Sequence, residues 1–456
     1  MMKKGDCCNR EEFNTLEERK KFISQKNGNN AVGIDCEKDS LAGAVSQRAC
    51  VYCGARVVLN PITDAYHLVH GPIGCASYTW DIRGSLTSDS EVFRNSFSTD
   101  LRERDIIFGG EEKLKGAIKE IYEEYKPSVI FIYATCVVGV IGDDVDAVCR
   151  DAEEKYGIQV IPVQAAGFAG NKMNGYKAAG KAMMQLMKRG YEEYSGVKQS
   201  GINILGDFNL AGEMWIIKSY LEEIGIEVNA GITGDSTCED IKRAPQAELN
   251  IVQCAGSMVS LAKKMQRHFG IPYQKISFVG IEDTVNSLRK IASLIGDKET
   301  YQKIDKFVEK RMDKALKEMD KYRQRLRGKK VAIYVGGGFK AISLIKQCKN
   351  LGMNPVMVGT QTGKAEEYEQ IHQLIDDGTV VLDDANPSEL ENFMMEKEVD
   401  LLVGGVKERP LAYKLGVAFC DHNHERKHPL IGFDGAVNFA RELDRSVNSP
   451  IWQYVK

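Results

Sequence analysis

Cysteine is the residue type in this sequence that is best able to support chemistry. The chain contains twelve, at positions 7, 8, 36, 50, 53, 75, 136, 149, 238, 254, 348 and 420. Thiolates bind metals and react in redox steps, whereas a buried free cysteine simply packs as a small apolar side chain. In a reducing compartment cysteines seldom form disulfides, so metal binding competes with core packing as the explanation, and we expect about half of the twelve to be structural.

Three short motifs carry possible ligands. The CxxC pair Cys50 and Cys53 is weak by itself, because a structural zinc site needs two further ligands nearby. The run HGPIGC (70–75) places Cys75 in a glycine-rich turn, where backbone amides can approach a cluster and donate to its sulfurs. His422 and His424, with His428 close behind, resemble metal ligands, although histidines spaced in this way are more often solvated side chains.

The elements that must position these residues follow an α/β pattern from about residue 50. Buried strands are predicted at 129–136, 158–165, 202–210, 249–256, 331–338, 354–360, 379–384 and 400–405, and helices at 213–224, 301–328 and 432–447. We predict three doubly wound, Rossmann-like domains with parallel sheets, at 47–200, 201–325 and 326–456. Residues 1–46 are predicted to form an extension with a charged helix near 15–25. Ligands of such folds bind at the carboxyl ends of strands, where Cys136, Cys254 and glycines 336–338 fall.

Composition excludes several functional classes. The 456 residues are 43% hydrophobic and 27% charged, as in ordinary soluble domains. A net charge of −3 favours neither nucleic acid nor a membrane as a partner. We find no apolar run of the roughly 18 residues that a membrane span needs and no secretory segment, so we expect a cytoplasmic protein.

Six sequence blocks resemble the nitrogenase α-subunit superfamily, in order and at similar spacing across nearly the whole chain. They are CVYCGARVVLNPITDAYHLVHGPIGCASYTWDIRG (50–84), NSFSTDLRERDIIFGGEEKL (95–114), ATCVVGVIGDD (134–144), LNIVQCAGSM (249–258), YVGGGFK (334–340) and IGFDGAVNFARELD (431–444). The family contains a catalytic α-subunit and a related scaffold for cofactor assembly. The resemblance therefore implies a nitrogenase α-subunit-like fold with two cluster sites.

The first implied site faces the partner subunit. In the family three cysteines there match Cys50, Cys75 and Cys136. In the scaffold branch they hold a 4Fe-4S cluster whose fourth thiolate comes from the β-like partner, NifN. Four soft thiolates suit such a cluster.

The second implied site holds the cofactor or its precursor. The cysteine that binds one end of it matches Cys254, and an arginine that faces its cavity matches Arg83. Lys340 and Lys414 are weaker candidates for binding the cluster or the organic acid homocitrate, and Cys36 is a candidate for receiving an incoming cluster. The catalytic subunit has a metal-binding histidine just before GFDG, where this chain has Ile431, unless a nearby ligand such as His428 compensates.

The resemblance implies a scaffold subunit rather than a stand-alone enzyme, with no catalytic residue of its own. An iron–sulfur–carbide precursor from NifB would mature to the iron–molybdenum cofactor as molybdenum and homocitrate are inserted with the iron protein NifH, and would then pass to the apo molybdenum–iron protein. An α2β2 assembly with NifN is expected. The alternatives are the catalytic α-subunit, which Ile431 disfavours, the equivalent scaffold of a vanadium system, and a reductase of the protochlorophyllide type.

Overall fold

A computed structural model describes most of the chain. The described residues are 17–28, 33–36, 49–80, 85–88, 95–196, 199–253, 255–295, 298–423 and 425–455. Within these ranges no helix is both long and apolar enough to cross a lipid bilayer. The helices and strands build three sheets with helices between their strands, so the predicted α/β fold class is confirmed.

The first sheet is parallel and has the strand order β3-β2-β4-β5. Its strands are β2 (Tyr66–His70), β3 (Ser96–Ser98), β4 (Val129–Ala134) and β5 (Gln159–Gln164). The helices of this region are α1 (Val51–Leu59), α2 (Ile73–Trp80), α3 (Glu103–Phe108), α4 (Glu111–Tyr125), α5 (Cys136–Ile141), α6 (Val145–Tyr156) and α7 (Lys172–Glu193). Every residue of β4 is buried, which explains why this strand reads as an unbroken apolar run.

The second sheet is also parallel, with the order β7-β6-β8-β9. Its strands are β6 (Ile202–Asp207), β7 (Val228–Thr233), β8 (Leu249–Val252) and β9 (Tyr273–Lys275). The helices are α8 (Glu213–Ile224), α9 (Cys238–Arg243), α10 (Ala255–Phe269), α11 (Ile281–Ile295) and the long α12 (Lys298–Leu326). Helix α8 has the predicted bounds, and α12 confirms the predicted long charged helix.

The third sheet has six strands in the order β1-β12-β11-β10-β13-β14. Its strands are β1 (Ile23–Gln25), β10 (Lys330–Val335), β11 (Asn354–Thr360), β12 (Val380–Asp383), β13 (Leu401–Gly404) and β14 (Ala418–Asp421). The helices are α13 (Gly338–Asn350), α14 (Ala365–Leu374), α15 (Pro387–Glu396), α16 (Arg409–Lys414), α17 (Gly432–Val447) and α18 (Trp452–Val455).

Strand β1 corrects the prediction of a charged helix near residues 15–25. A short 3-10 helix, Glu17–Phe22, leads into β1, which pairs antiparallel with β12 at the edge of the third sheet. Ser24 is buried there and lies 3.0 Å from His372 Nε2, and Arg19 forms an ion pair of 2.9 Å with Glu389. These long-range contacts override the local helical preference of the segment.

The second and third sheets share one hydrophobic core, which α12 and α17 cross. The Tyr220 ring packs against Phe307 and Phe433 at centroid distances of 5.1 and 5.8 Å, joining α8, α12 and α17. The Tyr220 hydroxyl also accepts a 3.0 Å hydrogen bond from the Phe433 amide, at the start of α17. The packing thus fixes the residue just before this helix, Ile431, relative to the second sheet.

Candidate functional site

Two of the predicted cluster cysteines follow neighbouring strands. Strands β2 and β4 are parallel partners with His70 opposite Ala134, and each leads at its carboxyl end into a helix that carries a cysteine. Thr135 joins the two turns, since its amide and its hydroxyl both donate to the carbonyl of His70, at 3.2 and 2.9 Å. The sheet register therefore brings Cys75 and Cys136 to the same edge.

The turn that carries Cys75 is braced by a buried polar network. His70 Nδ1 lies 3.1 Å from the Thr99 hydroxyl, which also accepts a hydrogen bond from the Gly71 amide. His70 Nε2 lies 3.1 Å from a carboxylate oxygen of Asp143. Burial lowers the pKa of His70, and the adjacent Asp143 carboxylate opposes that effect. Fixed partners of this kind make the backbone before the cysteine rigid.

Cys50 reaches the same edge from a different element. It is the N-cap residue of α1 and forms an isolated antiparallel bridge with Asn171, in the loop that follows β5. The same loop contains Gly167, whose amide donates a 3.0 Å hydrogen bond to Cys136 Sγ. A Cβ atom built on Gly167 would lie 3.0 Å from Cys136 Sγ and 3.3 Å from Cys50 Cβ. Cys50 and Cys136 therefore both lie close to the same glycine.

The three thiols are close enough to affect one another electrostatically. Burial raises the pKa of Cys50, and the nearby Cys53 and Cys136 raise it further. Burial also raises the pKa of Cys75, as do the neighbouring Cys136 and Cys50. Three thiolates this close repel each other unless a cation stands between them, which is the role of iron in a cluster.

The donor set fits a cluster better than a single ion. In the described part of the chain no group of three or more His, Cys, Asp or Glu side chains converges on one metal position. In a 4Fe-4S cluster each thiolate binds a different iron, so the sulfur atoms need not converge. Cys50, Cys75 and Cys136 all lie at the starts of helices, where backbone amides favour anions. Three such cysteine ligands would leave one iron of a 4Fe-4S cluster open to a ligand from elsewhere.

An apolar surface surrounds this edge. Five large apolar side chains on α2, α3, α5 and the loop after β5 are between 56% and 80% exposed: Ile73, Ile107, Phe108, Val140 and Phe168. Cys136 itself is exposed, whereas Cys50 and Cys75 are partly buried. Apolar side chains grouped in this way are typical of a protein–protein interface.

A separate cavity of about 380 Å³ lies at the carboxyl ends of the second and third sheets. Its walls include residues that follow β6, β8, β10, β11, β13 and β14, together with parts of α1, α2 and α7. This is the position at which doubly wound sheets bind their ligands. The cavity is therefore large enough for a ligand and lies between the ends of the second and third sheets and the helices α1, α2 and α7.

The glycine run after β10 opens one wall of the cavity. Gly336 and Gly337 line it, and a Cβ built on Gly336 would meet nothing within 4 Å. Gly337 is the N-cap residue of α13, a helix of 13 residues. A ligand can therefore approach the amides of this helix terminus, an arrangement that suits an anion.

Cations also line the cavity. Lys340 Nζ donates a 2.8 Å hydrogen bond to the carbonyl oxygen of His422. Arg426 donates to the same carbonyl at 3.1 Å and forms a buried ion pair of 2.9 Å with Glu213. Lys172, Lys364 and Lys407 also belong to the lining.

Two carboxyl groups of the cavity, those of Asp207 and Glu408, have raised pKa values. Burial, followed by the nearby Glu213, raises the pKa of Asp207 to about 7. Burial likewise raises the pKa of Glu408 to about 7. A neutral carboxyl group does not cancel the positive charge of a nearby lysine or arginine. These two raised pKa values therefore favour an anionic ligand in the cavity.

The sequence-predicted cofactor residues fall in different places. Cys254 and Arg83 lie outside the described residues, but Gln253, Gly256 and Ser257 beside Cys254 line the cavity. Lys340 and Ile431 are in its wall. Lys414 lies away from it, 68% exposed and 3.2 Å from Glu391, and Cys36 packs partly buried against the core shared by the second and third sheets. The structure therefore gives Lys414 and Cys36 no contact with the cavity.

Sequence reasoning did not select several residues of the cavity wall. Cys53, the second cysteine of the CxxC pair, is buried and lines the cavity. Asp207 could have been found because it ends an apolar strand, but Glu213, Glu408 and Arg426 gave no local signal. Of the histidine group, His422 is in the wall, His428 is exposed and His424 lies outside the described residues.

The class of protein follows from these features together with a family comparison. Residues 50–448 match the model of the family described as nitrogenase component 1 type oxidoreductase. The match covers most of the chain, including both candidate sites. The chain belongs to this family, as its sequence blocks predicted.

Individual relatives define the branch of the family. The chain is 63% identical over 444 residues to a protein of Clostridium pasteurianum named nitrogenase iron-molybdenum cofactor biosynthesis protein NifE, covering 96% of this chain and 97% of that one. A NifE of Methanosarcina barkeri is 52% identical, with 97% of each chain covered. The solved structure "Nitrogenase Cp1 at pH 5" superposes with a TM-score of 0.86 at 30% identity, covering 98% of both chains. The predicted nitrogenase-like fold is therefore confirmed.

Proposed function

We propose that this chain is the α-like subunit of a scaffold on which the iron–molybdenum cofactor of nitrogenase is matured before transfer to the catalytic protein. The observation that carries this proposal is the cavity of about 380 Å³, which offers cations and helix amides to an anionic cargo but places Ile431 in its wall. An isoleucine has no atom that can bind a metal. The similarity to proteins named NifE supports the same branch of the family.

Cys50, Cys75 and Cys136 would hold a 4Fe-4S cluster at the edge of the first sheet. Such a cluster stores and passes single electrons, and the protein sets its potential through burial and hydrogen bonds to sulfur. The Gly167 amide already donates one such bond to Cys136 Sγ. The β-like partner NifN would supply the fourth thiolate, and Ile107, Phe108 and Phe168 would pack against it.

The cavity would hold the iron–sulfur–carbide precursor as cargo. Cys254 would bind one end of it, and the described neighbours Gln253 and Gly256 line the cavity. Lys340 and the amides of α13 would balance the negative charge of the cargo, with Arg83 in the same electrostatic role. Molybdenum and homocitrate would enter during maturation.

The identity of residue 431 separates the scaffold from the catalytic subunit. A site that must release its cargo should hold it through few protein bonds, whereas a site that runs turnover should bind both ends. Ile431 is buried in the wall and belongs to the hydrophobic core of the second and third sheets. His428, the compensating ligand considered from the sequence, is exposed and not part of the lining.

The remaining assignments belong to the same proposal. NifB would deliver the precursor, the iron protein NifH would supply electrons, and the apo molybdenum–iron protein would accept the product. We propose an α2β2 assembly in the reducing cytoplasm, where the free cysteines of the described chain can act as thiolates. We also propose three domains, at 47–200, 201–325 and 326–456, each built around one of the three sheets, with β1 (Ile23–Gln25) of the N-terminal extension joining the third.

The test is anaerobic co-expression with the β-like partner, followed by a count of iron, molybdenum and vanadium per heterodimer. The expected result is a four-iron cluster plus a larger iron cluster that takes up molybdenum, without acetylene or dinitrogen reduction at nitrogenase rates. Vigorous turnover with reduced iron protein and ATP would assign the chain to catalysis instead. Uptake of vanadium in place of molybdenum would assign it to the vanadium system.

A further inference from the structure

His422 is a buried histidine without a hydrogen-bond partner for its ring. It follows β14 at the carboxyl edge of the third sheet and lies in the wall of the cavity. Its side chain is 0% exposed, and neither Nδ1 nor Nε2 has a hydrogen-bond partner. Among the buried histidines of the described chain it is alone in this, because His67, His70 and His372 each have at least one ring nitrogen bonded.

Leaving an imidazole unpartnered in the interior is unfavourable. A buried donor or acceptor without a partner loses its hydration and gains nothing in return. The backbone position of His422 is nevertheless well fixed, since Lys340 and Arg426 both donate to its carbonyl oxygen. The ring also packs edge-on against Phe439, with centroids 5.3 Å apart. The structure therefore holds this unsatisfied group in a defined place.

The chemical state of the ring suits a metal ligand. Burial, helped by the nearby Lys340 and Arg426 charges, holds the pKa of His422 well below its usual range. A neutral imidazole keeps one nitrogen lone pair free while the other nitrogen retains its proton. Nitrogen of this kind binds iron and other transition metals readily.

We propose that His422 donates a ring-nitrogen lone pair to a metal atom of the iron–sulfur cargo in the cavity. This inference rests on the proposed function and adds a ligand to it. His422 then replaces, from a position nine residues earlier, the nitrogen that Ile431 cannot provide. The bond forms without proton release, because the ring is already neutral and its second nitrogen keeps its hydrogen.

The neighbouring residues explain why this ligand would be a weak one. The His422 ring is packed into the wall, and burial together with the positive charges of Lys340 and Arg426 lowers its pKa. A ligand of lowered basicity binds a metal more weakly than one whose basicity a carboxylate partner raises. A ligand of moderate strength at one end orients the cargo without preventing its release. This role differs from that of Lys340, which contributes charge rather than a metal bond.

The test uses the complex with the β-like partner, loaded with the precursor and labelled with 15N-histidine. Pulsed EPR of the cargo cluster should show nitrogen modulations that change with the label in wild type and disappear in His422→Phe. The variant should also lose iron from the cavity site about tenfold faster during gel filtration. His428→Phe, which changes an exposed histidine, is the matched control and should behave as wild type. His422→Gln serves as a second variant if the phenylalanine disturbs folding.

The possible outcomes distinguish a failure of the His422 inference from a failure of the proposed scaffold function. A loaded wild-type complex without histidine nitrogen coupling, or with coupling that survives in both His422 variants, overturns the inference and leaves the scaffold function intact. A wild-type complex that contains the four-iron cluster but never holds a second, larger cluster overturns both. The four-iron cluster does not confuse the readout, because its proposed ligands are thiolates.

Discussion

The backbone amide of Gly167 donates a 3.0 Å hydrogen bond to the sulfur of Cys136. Gly167 lies in the loop after β5, and Cys136 begins α5, after the neighbouring strand β4. The loop can approach so closely because residue 167 has no side chain. Gly167 is thus in contact with Cys136, at the start of α5, and a side chain at this position would also approach Cys50, at the start of α1.

Gly167→Ala should disrupt the four-iron cluster. The added Cβ would lie 3.0 Å from Cys136 Sγ and 3.3 Å from Cys50 Cβ, which is tight enough to displace one of the two. Because a cluster needs all of its thiolates in position, we expect most of the four-iron EPR signal to be lost. The measurement is EPR amplitude per heterodimer after anaerobic purification.

Gly116→Ala provides the matched control for this substitution. Gly116 is exposed within α4, and a Cβ built on it would meet nothing within 4 Å. Alanine should stabilise that helix by up to about 1 kcal/mol and leave the cluster unchanged. If Gly167→Ala retains a full signal, residue 167 does not set the spacing of these cysteines.

Cys75→Ala should abolish the four-iron signal and weaken association with the β-like partner. The cysteine lies in the first turn of α2, beside the exposed apolar surface proposed to meet that partner. Cys53→Ala, one helical turn after Cys50, should keep the signal because Cys53 is buried and faces the cavity instead. Loss of the cluster in the Cys53 variant with retention in Cys50→Ala would reverse the ligand assignment.

Strands and long helices were predictable from the sequence because their burial imposes a pattern. The apolar run before Cys136 is a fully buried strand, and the run before Glu213 ends in Asp207 at the carboxyl edge of β6. By contrast, Ile23–Gln25 became a strand through pairing with β12, a partner more than 350 residues away. No local pattern encodes such a contact.

The candidate cluster cysteines were selected through resemblance, and the position of Cys75 beside Cys136 depends on sheet register. His70 opposite Ala134 brings Cys75 and Cys136 together, which spacing along the chain does not reveal. The Glu213–Arg426 ion pair joins residues more than 200 positions apart, so neither stood out in the sequence. Lys414 lies outside the cavity wall, 3.2 Å from Glu391 on the surface, so no contact in the structure supports the role expected for it from the resemblance.

Glu408→Gln should change how the stability of the cargo-free protein depends on pH. Burial raises the pKa of Glu408 from its ordinary value of 4.5 to about 7. A raised carboxyl pKa means that the folded state binds the proton more tightly. The contribution of Glu408 to the free energy of unfolding is therefore greatest below pH 4.5, and it is lost as the pH rises to 7. The loss amounts to roughly 3 kcal/mol.

Urea unfolding at several pH values measures this effect. Between pH 5 and 7 the wild-type free energy of unfolding should fall relative to that of Glu408→Gln. The reason is that unfolding of the wild type releases about one proton from Glu408 in this range. Glu391→Gln, which changes a surface partner of Lys414, should leave the slope as in wild type. Parallel curves for Glu408→Gln and wild type would show that this carboxyl ionises normally.

Arg426→Met should destabilise the protein more than removal of both members of its ion pair. Arg426 and Glu213 are both nearly inaccessible and lie 2.9 Å apart, so the single change leaves an unpaired buried carboxylate. A loss of about 3 kcal/mol is expected for the single variant, with partial recovery in Arg426→Met combined with Glu213→Gln. Chemical unfolding of the three proteins tests this, and an additive double variant would show that the pair is not coupled.

Ile431 lies where the cavity meets the hydrophobic core of the second and third sheets. It is the N-cap residue of α17, with extended backbone angles, and its side chain forms part of the cavity wall. The next amide, that of Gly432, donates a 2.7 Å hydrogen bond to the carbonyl of Phe278, which fixes the start of the helix. This hydrogen bond helps to fix the position of residue 431 beside the cavity.

Ile431→His should convert a releasing site into a retaining one. The imidazole would add a metal ligand at the wall where isoleucine offers none, and each well-placed ligand increases the affinity of a metal site. We expect roughly tenfold slower transfer of the matured cofactor to cofactor-free nitrogenase, which corresponds to about 1.4 kcal/mol of added binding. The assay is a transfer time course with equal cofactor loading, and Ile431→Leu controls for the altered core packing. If the histidine and leucine variants transfer at the wild-type rate from equal starting metal contents, the missing ligand at position 431 is not what allows release.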